Sequence, residues 1–262
     1  MDADRTLPRF FVDSLPAPAA GADRPAQACL PAAEAHHALH VLRLGAGAAV
    51  ALFDGRGGAA VGRIAKAGRG EVLVAIDSAL PPAPRTGLRV HLGFAVPKGG
   101  RLDWLLEKAT ELGAASLVPV IFARSVAGTE RLSPAKRERW RARTVSAAKQ
   151  CGLDYLPEIA DPLALEAFLA RGPDCLRLLG DLSDDAVPLA RGLARRAAGQ
   201  ELVLLVGPEG GLTAGEGAAA RLAGFIPVRL GATALRIETA AVALLAAAVA
   251  LCDAALGDKQ HA

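Results

Sequence analysis

The residues whose types and spacing could do chemistry fall in two short stretches near the C-terminal end. The first is Gly207-Pro208-Glu209-Gly210-Gly211, with three glycines and a proline in five residues, directly after the apolar run 202–206. Where side chains are this sparse, backbone can approach a ligand closely. The second stretch is 230–241, in which Leu230-Gly231 and Leu235-Arg236-Ile237-Glu238-Thr239 lead into thirteen uninterrupted apolar residues, 240–252. Charges beside so apolar a segment are costly to bury unless they are paired or serve a ligand. A further glycine closes the run at Leu179-Gly180-Asp181. Three glycine-bearing strand ends, if the strands are neighbours, form one cleft lined by main-chain amides and carbonyls, which suits an adenine and a ribose. No lysine follows Gly210-Gly211, as a phosphate cradle would require. A cleft without fixed positive charge favours a neutral or cationic adenosine cofactor over a triphosphate. Each stretch also has a plainer reading: glycine turns serve as tight connections, and a glutamate suits the positive end of a helix.

These residues need elements to hold them. Thr213-Ala-Gly-Glu216 fits a capping box at the start of a helix, so the glycine stretch lies between a strand and a helix. In open α/β sheets, ligands bind at such strand ends. From residue 85 onward the pattern alternates: strands over 88–96, 117–122, 175–179, 202–206 and 225–230, and helices over 101–112, 134–150 and 237–256. Another helix is expected from Asp161-Pro162. Such alternation predicts an α/β fold with a mostly parallel, doubly wound sheet. Residues 1–84 read differently. The runs 9–12, 48–53, 59–64 and 71–76 are short and separated by glycine turns, with one helix near 32–44, which predicts a small β-barrel or sandwich. Asp54-Gly-Arg-Gly-Gly58 reads as a hairpin loop. Gly55-Arg-Gly57-Gly-Ala-Ala60 also matches a dinucleotide-binding pattern, but a strand follows where that motif needs a helix. Residues 80–87, with three prolines, mark the linker between a domain over 1–84 and one over 85–262.

Composition narrows the function classes. Hydrophobic residues make up 52% of the 262, enough for a sizeable core, and the longest apolar run is too short for a membrane span. Cys29, Cys151, Cys175 and Cys252 show no paired spacing, which argues against zinc and disulfides and fits a reducing cytoplasm; Met1-Asp-Ala-Asp4 does not read as a signal peptide. His36, His37 and His40 cluster without a third convergent ligand type, so no metal is expected. Net charge is only +3, yet residues 124–149 hold eight basic residues against two acidic ones. A concentrated basic face is a footprint for a polyanion, or else a solvated helix.

The combination is specific. Gly207-Pro-Glu-Gly-Gly211, Leu230-Gly231 and Leu235-Arg-x-Glu-Thr239 resemble the SPOUT class of S-adenosylmethionine-dependent RNA methyltransferases, and within it the small-subunit ribosomal RNA uridine-N3 methyltransferase family. Further blocks agree in order: Arg9-Phe10-Phe11, His40-Val-Leu-Arg-Leu-Gly45, Phe53-Asp-Gly55, and Lys98-Gly-Gly-Arg-Leu-Asp-Trp-Leu-Leu-Glu-Lys-Ala-Thr-Glu-Leu-Gly113. The resemblance implies a SPOUT parallel sheet with a C-terminal trefoil knot, preceded by a PUA-like, RNA-binding barrel. It implies S-adenosylmethionine as cofactor, S-adenosylhomocysteine as product, a homodimer, and 16S rRNA of the 30S subunit as partner.

Carried over residue by residue, the cofactor set is Leu179, Gly180, Val206, Gly207, Pro208, Glu209, Gly210, Gly211, Leu230, Gly231, Leu235, Arg236, Thr239 and Ala240. Uridine N3 must lose a proton as the methyl arrives, so Arg9 and Arg236 are expected at the uridine, with Glu238 orienting Arg236 or accepting the proton. RNA contacts are expected from Arg9, Arg43, Lys98, Arg124, Arg137 and Arg141. The chain departs from the family pattern in four places: Leu153 and Thr233 stand where arginines are usual, Ile237 where threonine is, and Ala123 where glutamate is. The alternatives to base methylation are a ribose 2′-O methyltransferase of the same class and an RNA-binding assembly factor that has lost catalysis.

Overall fold

Parallel strands buried on both faces read as continuous apolar runs. Leu202, Leu204 and Leu205 of one such run, and Val90 and Leu92 of another, are fully buried. The structure, a computed structural model, describes residues 7–16, 26–68, 70–81, 87–126, 131–170 and 175–257. It divides into two compact units, each with its own core: Met1–Pro84 with Ala148–Leu156, and Arg85–Ala147 with Pro157–Ala262.

In the first unit β1 (Arg9–Phe11), β2 (Gln27–Cys29), β3 (Ala49–Phe53), β4 (Ala59–Gly68) and β5 (Glu71–Leu80) form a sheet in the order β1-β3-β4-β5-β2. All pairs are antiparallel except β1 with β3. The loop 54–58 joins β3 to β4 as the expected hairpin, and the helix expected near 32–44 is α1 (Ala32–His36) continued by a π-helical turn, His37–Val41. The chain returns to this unit at 148–156, where Gly57 N donates to Asp154 O (3.0 Å) and Leu156 N to Gly55 O (2.9 Å). A single boundary near 84 leaves this return out; the residues that make it carry no composition shift.

The second unit contains β6 (Val90–Phe94), α2 (Arg101–Glu111), β7 (Ser116–Ile121), α3 (Pro134–Cys151), β8 (Glu158–Ile159), β9 (Leu163–Ala164), α4 (Leu165–Leu169), β10 (Cys175–Gly180), β11 (Val187–Pro188), α5 (Leu189–Leu193), β12 (Glu201–Val206), α6 (Ala214–Leu222), β13 (Ile226–Arg229) and α7 (Ile237–Gly257), with the last residues of α3 belonging to the first unit. Its parallel sheet runs β11-β13-β10-β12-β6-β7-β8, with β9 also on β7. The helix expected from Asp161-Pro162 does not start there. Leu163–Ala164 pair with β7 first, and α4 begins only at Leu165. Edge pairing outcompetes the proline start signal. Arg177 on β10 donates to the carbonyls of Leu169 (3.0 Å) and Ala223 (2.9 Å), satisfying the ends of α4 and α6 that lack intrahelical donors.

Candidate cofactor cleft

The sheet order answers whether the three glycine-bearing strand ends meet. β13, β10 and β12 are adjacent, with Gly180 in register with Val206 on one side and Val228 on the other. Beyond their carboxyl ends lies a cleft of about 230 Å³. Its walls are Gly180–Leu182 after β10, the glycine loop after β12 with Leu212, Val228–Gly231 and Thr233–Leu235 after β13, and Ile237, Ala240 and Leu244 on α7. An added Cβ at Gly207 would displace the Leu212 side chain, and glycine is favoured at Gly211, whose φ is +68°.

The loop is held from outside. The capping box forms: Thr213 N donates to Glu216 (2.7 Å) and Glu216 N to the Thr213 hydroxyl (3.2 Å). The other carboxylate oxygen of Glu216 accepts from Ala123 N (2.7 Å), in the loop after β7. Burial works to raise the pKa of this carboxyl, but the N–H donors of Thr213 and Ala123 outweigh it and the net shift is downward. Arg124 donates to the carbonyl of Gly210. Arg101, in the first turn of α2, reaches Glu209 (3.9 Å) and Glu238 (3.6 Å). Arg221 on α6 grips Asp185 through two contacts (2.7 and 2.8 Å) and also Ser183 (3.0 Å), tying down the loop after β10. Its guanidinium holds the Asp185 carboxyl well below the usual carboxylate range. Neither Arg101 nor Arg221 was singled out in the sequence, because nothing in their spacing distinguishes a loop pin from a solvated helix arginine.

Of the expected cofactor residues, Gly180, Val206, Gly207, Pro208, Glu209, Gly211, Leu230, Gly231, Leu235 and Ala240 line the cleft. Leu179, Gly210, Arg236 and Thr239 do not: Leu179 is fully buried beneath it, while Gly210 turns its carbonyl to Arg124. Glu238 faces α2, with Oε1 near Arg101 and Oε2 buried without a partner. Arg236 is exposed and makes no ion pair among the described residues. The expectation of a cleft without fixed positive charge needs correcting, since Arg229, the last residue of β13, stands in the lining.

Comparison with known proteins places this architecture. The RNA methyltransferase domain matches residues 84–249, and the RNA methyltransferase PUA domain matches residues 30–77. Ribosomal RNA small subunit methyltransferase E of Mycobacterium tuberculosis is 33% identical over 241 residues, covering 88% of this chain and 86% of that one. The protein of the same name from Synechocystis is 33% identical over 218 residues, covering 80% and 68%. The crystal structure of ribosomal RNA small subunit methyltransferase E from Neisseria gonorrhoeae, bound to S-adenosyl methionine, superimposes with a TM-score of 0.80 at 29% identity, covering 94% of this chain and 98% of that one. The chain belongs to the ribosomal RNA small subunit methyltransferase E family. Its fold is of the SPOUT type with a PUA-like domain, as the resemblance implied.

The residues expected to meet RNA fare unequally in this methyltransferase. In the first unit Arg9 is nearly buried: it donates to Asp154 (2.6 Å) and to Leu153 O (3.0 Å), with its guanidinium 5.0 Å from the Phe53 ring. Leu153 thus contributes through its carbonyl, whatever its side chain. Arg43 is exposed in the left-handed region (φ 54°), directly after the π-helical turn, a strained position that non-glycine residues seldom occupy. The rings of His36 and His40 lie 4.7 Å apart at a tilt of 43°, and burial lowers the pKa of His37. No metal-binding group is present among the described residues. On α3 several members of the basic run are paired. Arg137 pairs with Asp161, Arg139 and Arg143 with Asp103 (2.7 and 3.5 Å), and Lys149 with Glu34 (2.9 Å). Arg141 lies 3.9 Å from Glu138. Lys98 is exposed and makes no ion pair among the described residues.

Proposed function

We propose that this protein transfers a methyl group from S-adenosylmethionine to N3 of a uridine in the RNA of the small ribosomal subunit. The observation that carries the reading is the cleft at the ends of β13, β10 and β12, whose walls are the glycine loop and the 230–235 segment. The residues present fit the cofactor: apolar walls from Val206, Leu212, Leu235 and Leu244 suit an adenine, strand-end main chain suits its hydrogen-bonding edge, and Gly207 admits close approach. When bound, the cofactor supplies an electrophilic methyl on a sulfonium.

The chain's own part is positioning and charge. Arg236, exposed and unpaired next to the cleft wall, is the residue we assign to the uracil as its N3 loses a proton, because a permanently charged donor stabilises the developing anion. Glu238 is assigned to orientation through Arg101, and Arg9 to fixing the segment 153–154. Exposed Lys98 and Arg43 are assigned to the RNA backbone. A homodimer, with the last segment threaded through a trefoil knot, completes the proposal; exposed Trp104 on α2 supports an interface. The test is label transfer from S-adenosylmethionine to purified small subunits, followed by nucleoside mass spectrometry. The expected product is N3-methyluridine. Label found only on ribose 2′-oxygens would support the ribose methyltransferase alternative instead.

A further inference from the structure

The cleft lining holds three ionisable side chains, Asp181, Glu209 and Arg229. Both carboxylates already have partners: Asp181 accepts from the Ser183 hydroxyl (2.7 Å) and lies 3.6 Å from Arg221, and Glu209 lies 3.9 Å from Arg101. Arg229 is exposed and makes no ion pair or side-chain hydrogen bond among the described residues. The sheet fixes where it stands. Gly180 is in register with Val228, and Asp181 N donates to Val228 O (3.0 Å), so Asp181 and Arg229 are neighbouring strand ends at the cleft mouth. No contact within 4.0 Å joins their charged groups. Asp181 is spent on Leu182 N, Ser183 and Arg221, so Arg229 is the lining charge left unengaged, and a guanidinium complements a carboxylate.

We propose that Arg229 binds the carboxylate of the methionine moiety of S-adenosylmethionine. The inference rests on the methyl-donor reading of the cleft and adds the subsite that recognises the amino-acid end. That carboxylate is the donor's only anionic group, and Arg229 is the only cation in the lining. A planar guanidinium matches a carboxylate with two parallel hydrogen bonds. Thr233, on the same wall, shows why the charge has to come from Arg229: a hydroxyl offers one neutral donor where the ligand carries a full negative charge.

The experiment is titration calorimetry of the full chain with S-adenosylhomocysteine, which keeps the amino-acid end, and with 5′-methylthioadenosine, which lacks it. In Arg229→Gln the Kd for S-adenosylhomocysteine should rise roughly tenfold, the scale of one charge-assisted hydrogen bond. The Kd for 5′-methylthioadenosine should not change, and Arg229→Lys should recover part of the loss. Equal weakening of both ligands would mean that Arg229 only shapes the wall and would overturn the proposal. Unchanged S-adenosylhomocysteine binding with weakened binding of small-subunit RNA would overturn it too, by giving the arginine to the RNA. Failure of the wild-type protein to bind S-adenosylhomocysteine at all counts against the methyl-donor reading itself, so the two failures are distinguishable.

Discussion

Glu216 ties the glycine loop to the sheet, and removing its charge tests whether the cleft is preorganised by that tie. Its carboxylate accepts from Thr213 N and the Thr213 hydroxyl through one oxygen and from Ala123 N through the other. Glu216→Gln keeps the shape but turns one oxygen into an NH2 group that opposes a backbone donor. One helix cap and one cross-loop hydrogen bond to a charged group are each worth about 1–2 kcal/mol, and they are not additive, so a net loss of about 2 kcal/mol is expected at pH 7. For a unit of this size that shifts the melting temperature down by about 4–8 °C. The pH dependence carries a sign of its own. The folded-state pKa of Glu216 lies below the unfolded value near 4.5, so its contribution is complete above that value and is lost as pH falls through the folded pKa. Wild type and Glu216→Gln should therefore differ most near neutral pH and converge in acid. Melting curves across pH 3–7, with S-adenosylhomocysteine titrations at pH 7, measure both effects; the freed loop should bind the ligand several-fold more weakly. A variant that melts with the wild type at pH 7 and binds equally well refutes the reasoning.

Three further outcomes follow from the geometry. An added Cβ at Gly180 would meet Leu244 Cδ1 at 2.7 Å, so Gly180→Ala should cost about 1–2 kcal/mol by thermal melting and push Leu244 into the cleft, weakening S-adenosylhomocysteine in calorimetry. Lys98→Ala should flatten the logarithmic salt dependence of small-subunit binding by about one unit, whereas Arg137→Ala should change it less, because Arg137 is already matched by Asp161; gel-shift or filter-binding series at graded salt compare the two. Arg43→Gly should leave melting unchanged or raise it by up to about 1 kcal/mol, since glycine relieves the left-handed backbone, while RNA affinity falls with the lost cation.

How much of this was legible beforehand depends on the kind of signal. Backbone-dominated features were readable. The glycines at 180 and 207 stand at strand ends where an added Cβ would meet Leu244 or Leu212, whereas Gly231 has open space around it, and the capping box at Thr213 and Glu216 is a local pattern that folds locally. The buried strands were readable for the same reason, as short apolar runs. Side-chain pairing was not readable. Asp103 lies 36 residues from Arg139 in sequence, and Asp161 lies 24 from Arg137, so these ion pairs along α3 leave no mark in the local pattern. The pairing of Arg9 with Asp154, 145 residues away, is equally invisible in the sequence. Glu238 was expected to orient Arg236 or accept the proton; two positions along a helix turn a side chain by about 200°, and its carboxylate lies near Arg101.

That asymmetry says something about the cleft itself. The parts that must touch a ligand through main chain are written locally, in glycine turns. The parts that hold those turns in place are written at long range, as arginines from α2, the loop after β7 and α6 reaching Glu209, Gly210 and Asp185. Each is a half-exposed contact of the weak surface kind, so no single pin is indispensable. Loop order then comes from several weak ties to one rigid sheet. A departure from the family pattern at one position, such as Thr233, is therefore tolerable where a glycine departure would not be. The same reasoning makes Arg229 informative: it is the one cation in the cleft that holds no loop, and a charge with no structural work to do there is free to meet a ligand.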